Sequence, residues 1–381
     1  MKALAPEPLE LIDDYESFFG QSPLLSASIR VTERCNLACR HCYVYDQPIA
    51  DSKDRLTTAQ IINIVSQLAE LGCSKLFFTG GEPFLRDDLL EILDYAKTLG
   101  MGLAVSTNGT VATRKELEAL ADIPFDLFQV SIDGPPVYHN VSRGSGVFDA
   151  AAGTFSELHR LGFANRTLSC TVGDNNCEYL PEMVDVAQTL AATHISLTLQ
   201  IEGGRASRIS RVHRLASALD AFFRRMINEP GTLEFSRTST IPVALVPTPL
   251  LNRYGKRRFL MCSYPQTIGI GADGNLAPCD GFFGIKRYFL GNALKSNLER
   301  LWNNQFAADL RHIGPEELTG VCSICCNLAI CNGGCRANAA AWYAGNLKAP
   351  DPICQAFFDQ GFFPRQAIDP AATYKAVAPQ L

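Results

Sequence analysis

The chain has 381 residues, 47% hydrophobic and 19% charged, a balance that suits a folded protein with one large and one smaller domain. A formal net charge of −5 and a pI near 5.7 exclude a general nucleic-acid binder, which needs a basic face. The run Arg253 to Arg258 is too short for that role and reads as a solvated loop or a local anion contact. The first twenty residues are acidic rather than basic and apolar, and no stretch of about 18 apolar residues occurs, so neither a signal peptide nor a membrane span is expected and the chain reads as cytoplasmic.

From Ser26 to Gln200 short β-rich runs alternate with segments of helical period. The expected strands are Ser26–Thr32, Lys75–Thr79, Gly102–Thr107, Leu127–Ile132, Thr167–Val172 and Ser196–Gln200. Between them helices are expected at Thr58–Leu71, Asp88–Leu99, Arg114–Ala121, Val147–Leu161 and Leu180–Leu190, and another, His213–Ile227, follows the sixth strand. The first repeats Ile61, Ile64, Val65 and Leu68 at helical spacing. Such alternation implies parallel βαβ units, and six of them make an α/β fold of the partial (β/α)6 TIM-like barrel kind. The expected organisation is an N-terminal extension over 1–25, the barrel over 26–235, a Pro-marked connector over 236–261, a cysteine-rich module over 262–360 and a tail over 361–381.

Ligands of such sheets sit at the carboxyl ends of the strands. The chemically suggestive residues fall there: Cys35, Cys39 and Cys42 after the first strand, Gly80-Gly81-Glu82-Pro83 after the second, Asn108 after the third, Ser131 and Asp133 at the fourth, Gln200 and Glu202 at the sixth.

Fourteen cysteines are many for a reducing compartment, where clustered thiols bind metal more often than they pair. Cys35, Cys39 and Cys42 form a C-x3-C-x2-C loop. Three thiolates can hold three corners of an iron–sulfur cubane and leave one iron open to a substrate or cofactor. Zinc fits less well: its structural sites want four ligands, and His41 sits inside the same tight loop.

This loop, with an aromatic residue before its last cysteine, resembles the signature of the radical S-adenosylmethionine (SAM) superfamily. The resemblance implies that the open iron chelates SAM and that one electron then releases a 5′-deoxyadenosyl radical, which takes hydrogen from a substrate. It also implies that Gly80, Gly81, Glu82 and Pro83 contact the SAM amino group, with the glycines allowing close backbone approach and Glu82 accepting from the ammonium. Ser131 and Arg143 resemble a carboxylate-binding pair, Arg143 offering a two-pronged donor or, alternatively, a surface ion pair. Tyr43, Asn108, Asp133 and Gln200 are further candidates for the adenosine, ribose or amino-acid parts, and the role of Glu202 is open.

Cys262-x11-Gly274-x4-Cys279, followed by Cys322-x2-Cys325-x5-Cys331-x3-Cys335 and Cys354, is similar to the SPASM extension of some radical SAM proteins. The similarity implies two auxiliary [4Fe–4S] clusters, three in all. One would lie on Cys322, Cys325, Cys331 and Cys354 and the other on Cys262, Cys279 and Cys335. Lys256–Met261 lacks the further cysteine that sulfatase-maturating relatives have before the first, so an open iron, a non-cysteine ligand, or a distant thiolate such as Cys170 or Cys177 is expected. Cys326 and Cys73 read as buried hydrophobes. Asp280, directly after Cys279, occupies the place of a catalytic base in those relatives, or else makes an Asp-Gly turn with Gly281.

The resemblance spans Ser26 to Cys354 and implies oxidative modification, by crosslinking or dehydrogenation, of a ribosomally made peptide or protein. A dehydrogenase, decarboxylase or epimerase of a small metabolite is the competing enzyme, and a non-catalytic cluster carrier the remaining alternative. A reductant such as flavodoxin or ferredoxin is expected. About 25 residues before the first strand are too few for a fused leader-binding domain, so a peptide would dock on the barrel mouth or arrive with a separate recognition protein.

Overall fold

Strand β1 (Ser26–Arg30) lies inside the sheet rather than at its edge, flanked by β2 (Lys75–Thr79) on one side and β8 (Thr267–Ile270) on the other. The computed structural model describes residues 24–46, 53–229, 231, 233–236, 238–254 and 266–377. Cys262, residues 255–258 of the basic run and almost all of the N-terminal extension lie outside the described residues.

Among the described residues one sheet of ten strands forms, in the order β10-β9-β8-β1-β2-β3-β4-β5-β6-β7. Strands β3 (Gly102–Thr107), β4 (Phe125–Ser131), β5 (Arg166–Val172) and β6 (His194–Leu199) follow β2 in parallel register, so all six expected strands form, within two residues at each end. The architecture is the mainly parallel α/β sheet of a partial barrel. Beyond the expectation, β7 (Glu234–Phe235) adds in parallel beside β6, and β8 adds in parallel beside β1. Strands β9 (Asn275–Ala277) and β10 (Gly291–Asn292) continue that edge antiparallel. Thus the cysteine-rich module is not a separate appendage: its first strands extend the barrel sheet.

Helix α1 (Thr58–Glu70) shows how the local sequence sets each layer. Thr57 and Gln60 make a reciprocal capping box, and Ile61, Ile64, Val65 and Leu68 face the sheet. There they meet a core that includes Ile29, Phe78, Val105 and Phe128, each fully buried, and burial of each such side chain contributes about 1.5–3 kcal/mol. The helices expected at Asp88, Arg114, Val147, Leu180 and His213 form over Leu89–Thr98, Arg114–Leu120, Val147–Arg160, Met183–Thr189 and Val212–Asn228. A further helix, Pro136–Arg143, was not expected. Pro135 precedes it as the N-cap residue and Pro136 stands at its first position, where the missing N–H costs nothing. Among the described residues no helix is long and apolar enough to cross a membrane.

Candidate active site at the cysteine loop

The residues after β1 carry no regular structure from Val31 to Asp46, so the loop bearing Cys35, Cys39 and Cys42 takes its shape from its neighbours. Four rim segments hold it. Gly81 and Glu82 donate their backbone N–H groups to the carbonyls of Thr32 and Arg34, at 2.9 and 2.7 Å. Asn108 donates its side-chain amide to Asn36, at 2.9 Å. The Ser142 carbonyl accepts from Arg40 N–H, at 3.0 Å. Arg205 donates to the carbonyls of Cys39 and Tyr45, at 2.8 and 2.9 Å, and its own N–H to the carbonyl of Cys42.

Two glycine positions explain why these contacts can be so close. A Cβ on Gly81 would overlap the carbonyl of Arg34, and one on Gly80 would sit 2.5 Å from that of Thr32. Gly204, with φ +51°, brings its Cα so near the loop that a Cβ would stand 2.5 Å from the Cys42 carbonyl. The glycines therefore admit the cysteine loop itself. Burial lifts the Cys35 thiol to about 11 and raises that of Cys39, and the neighbouring thiols add to both: Cys39 and Cys42 to the first, Cys42 to the second. Clustered, mostly desolvated thiols that must shed protons on metal binding fit an iron–sulfur ligand set.

The side chains expected to meet SAM are turned to protein partners in this structure. Glu82 is fully buried and its carboxylate accepts from Phe84 N–H, the Thr107 hydroxyl and Asn108 N–H, at 3.2, 2.7 and 2.7 Å. Burial outweighs these bonds and lifts its pKa to about 7. Pro83 opens the short 3-10 turn that Glu82 caps. Gln200 donates to the Ser207 carbonyl at 2.6 Å. Arg143 pairs with Asp133 through Nε and Nη2, at 2.5 and 3.2 Å, and both side chains are buried, so the surface ion pair weighed for Arg143 is instead an interior one. Asp133 also accepts from Thr171 N–H at 3.0 Å and lies 3.3 Å from His41. Burial alone would raise the Asp133 carboxyl; Arg143 and His41 hold it far below the usual carboxylate range. His41 is fastened to Ser142 and to this pair. Ser131, half-buried, closes β4 beside Ser169.

Asp280 is the main departure from expectation. It is neither a free base nor a simple turn residue: Arg30 grips it through Nε and Nη2, at 2.7 and 2.9 Å, and Tyr43 donates its hydroxyl to the same carboxylate. Burial would raise the carboxyl, but Arg30 holds it below its ordinary value. A carboxylate so engaged is a weak proton acceptor. Tyr43 is correspondingly committed to Asp280.

In the C-terminal module Cys322, Cys325, Cys331 and Cys354 line one small, largely apolar cavity, and none is disulfide-bonded. Among the described residues no three His, Cys, Asp or Glu side chains gather as a single metal ion requires. Four thiols spaced around a cavity suit a larger iron–sulfur cluster better than zinc. Cys335 caps the helix Arg336–Trp342, and Cys354 lies in the first turn of Pro352–Asp359. The buried carboxylate of Asp351 ties these together, accepting from Cys335 N–H at 3.0 Å and from Cys354 N–H at 3.1 Å. Asp351 and Arg205 were not anticipated. An acidic helix cap before Cys354 and a Gly-Gly-Arg after the sixth strand were the signals available. Cys170 and Cys177 are buried in the barrel layers, Cys170 beside Asp133 and Arg143 and Cys177 beside Asp174 and Glu178. Cys73 is buried, whereas Cys326 is exposed, contrary to its reading as a buried hydrophobe.

Between the two modules opens a cleft of about 410 Å³. The cysteine-loop residues Tyr43 and Asp46 line one side, Glu202 and Gly203 the end of β6, and Gly281 and Ala340 the C-terminal module.

Residues 29–201 match the Radical SAM superfamily and residues 262–327 match SPASM, an iron–sulfur cluster-binding domain. Fe-coproporphyrin III synthase of Methanosarcina barkeri is 29% identical over 350 residues, covering 85% of this chain and 86% of that protein. PqqA peptide cyclase of Xanthomonas oryzae pv. oryzae is 28% identical over 343 residues, covering 87% of this chain and 88% of that protein. Streptococcus suis SuiB bound to S-adenosylmethionine shares the fold, with a TM-score of 0.68 at 18% identity over 87% of this chain and 77% of that chain.

Proposed function

We propose that this chain, which belongs to the radical SAM superfamily and carries a SPASM domain, oxidatively modifies a side chain of a ribosomally made peptide or protein, by crosslinking or dehydrogenation, in the cleft between its two modules. The observation that carries this reading is the position of that cleft, walled by the cysteine loop on one side and the auxiliary module on the other. Similarity to PqqA peptide cyclase supports a peptide substrate.

Cys35, Cys39 and Cys42 would hold the SAM-binding cluster, with the Gly80–Pro83 turn, Ser131 and Arg143 around it. Cys322, Cys325, Cys331 and Cys354 would hold one auxiliary [4Fe–4S] cluster, and Cys262, Cys279 and Cys335 the other. When bound, SAM and the reduced cluster supply the 5′-deoxyadenosyl radical that abstracts hydrogen. The protein's own part is to orient and shield. Arg205, Asn108 and the Gly80–Glu82 turn fix the cysteine loop, while the glycines and alanines of the cleft leave room for an extended chain. A flavodoxin or ferredoxin would supply the first electron, and the auxiliary clusters offer the second a way out.

A second reading, chemistry on a small metabolite, is favoured by the 29% identity to Fe-coproporphyrin III synthase. Mass spectrometry of peptides encoded beside this gene, after co-expression, separates the two. A loss of two hydrogens per event supports the peptide reading. Unmodified peptides, together with 5′-deoxyadenosine formed on adding a metabolite, refute it.

A further inference from the structure

Among the described residues one ion pair, part-buried, joins the barrel to the auxiliary module, and it stands immediately beside a proposed cluster ligand. Arg30 is the last residue of β1, and Asp280 follows Cys279 at the start of the turn Asp280–Phe282. The parallel pairing of β1 with β8 brings them together across 250 residues of chain. Beyond the two bonds to the carboxylate, Arg30 donates to the Asp280 backbone carbonyl at 3.1 Å, and its guanidinium lies 4.3 Å from the centre of the Phe283 ring. Three donors, two from Arg30 and one from Tyr43, fill most of the acceptor capacity of the carboxylate. Gly269 of β8 packs so tightly on the Cys279–Asp280 peptide that a Cβ there would lie 2.8 Å from the Cys279 carbonyl carbon. Arg30 is only 4% exposed, and the side chain of Asp280 is 26% exposed.

We infer that Arg30 and Asp280 are positioning residues that set the reduction potential of the auxiliary cluster on Cys279, by holding one positive and one negative charge in balance beside it. The inference rests on the reading of Cys262, Cys279 and Cys335 as a cluster ligand set. Its physical basis is general: reduction adds negative charge to a cluster, so a nearby unbalanced cation favours the reduced form and a nearby unbalanced anion the oxidised form. The pair is neutral as a unit, and removing either member leaves the other uncompensated in a part-buried site, where screening is weaker than in bulk water. Tyr43, directly after Cys42, joins the same unit, so the loops of the first and the auxiliary cluster meet at this point.

The test is an EPR-monitored redox titration of the anaerobically reconstituted full chain, with the SAM-binding cluster as internal reference. Asp280→Asn should raise the potential of one auxiliary cluster, Arg30→Met should lower it, and Arg30→Met/Asp280→Asn should return it towards the wild-type value. A merely structural role would move both single variants the same way or not at all, and either result overturns the inference. Should Arg30→Met not fold, Asp280→Asn set against Asp280→Glu carries the sign, since only the first removes a charge. Wild-type iron near eight rather than about twelve per chain would overturn the ligand assignment itself. Three clusters with same-direction shifts would overturn only the charge balance.

Discussion

Replacing Arg143 by Met should destabilise the protein before it affects any chemistry. Arg143 and Asp133 form a two-point pair with both side chains almost out of solvent, at 8% and 1% exposure. The substitution leaves the Asp133 carboxylate inside with Thr171 N–H, His41 and His139 as its remaining neighbours. Breaking one side of such a pair costs about 3–5 kcal/mol, which for a chain of this size lowers the melting temperature by on the order of 5 °C. Arg143→Met/Asp133→Asn removes both charges and should recover much of the loss, because the stranded anion is the main cost. Thermal unfolding of the three proteins beside wild type measures this, and calorimetric titration with SAM measures the separate question of binding. If Arg143 serves SAM as well as Asp133, the double variant regains stability but not SAM affinity. An Arg143→Met protein that melts within about a degree of wild type would refute the reasoning.

Gly204→Ala should loosen the cysteine loop, since its Cβ would stand 2.5 Å from the Cys42 carbonyl at a φ of +51°; iron retained per chain and SAM-induced change in the EPR spectrum should both fall. Asp351→Ala should cost about 0.5–2 kcal/mol as a lost helix cap and release auxiliary iron selectively, read as loss of auxiliary EPR signals with the SAM-binding cluster kept. Glu82 should make stability fall with rising pH. Its folded pKa of about 7 lies above the ordinary 4.5, so the contribution is complete below about pH 4.5 and is lost as pH rises through 7, by about 3 kcal/mol. Glu82→Gln should flatten that slope in denaturant titrations between pH 5 and 8, and an unchanged slope would show that the carboxyl is not the source.

The strand and helix pattern of the barrel was legible because each element carries its own periodicity. Helix α1 announces itself through Ile61, Ile64, Val65 and Leu68, and needs no distant partner to be recognised. What escaped were elements defined by pairing rather than pattern. β7 has two residues and β8 four, too few for any alternation, and both exist because a neighbouring strand offers free hydrogen-bonding groups. The partner choice of polar side chains escaped for a related reason. Nothing local to Arg30, 250 residues before Asp280, marks it as that carboxylate's counter-ion, and nothing near Asp133 tells whether Arg143 faces it or a ligand.

The strand-end residues therefore have a shared task that motif reading alone assigns elsewhere. Gly80, Gly81, Asn108 and Arg205 come from loops after three different strands, yet each packs on or bonds the segment that carries Cys35, Cys39 and Cys42, Asn108 through the Asn36 side chain and the others at its backbone. A loop of sixteen residues without regular structure is costly to order, at roughly 1–2 kcal/mol per residue, and hydrogen bonds from several sides offset that cost. The same logic governs the C-terminal module, where Asp351 fixes Cys335 and Cys354 through their N–H groups. Polar residues close to the cysteines are accordingly expected to fail first as loss of cluster and only then as loss of turnover, so iron retention, measured before any activity, separates residues that build the site from residues that act in it.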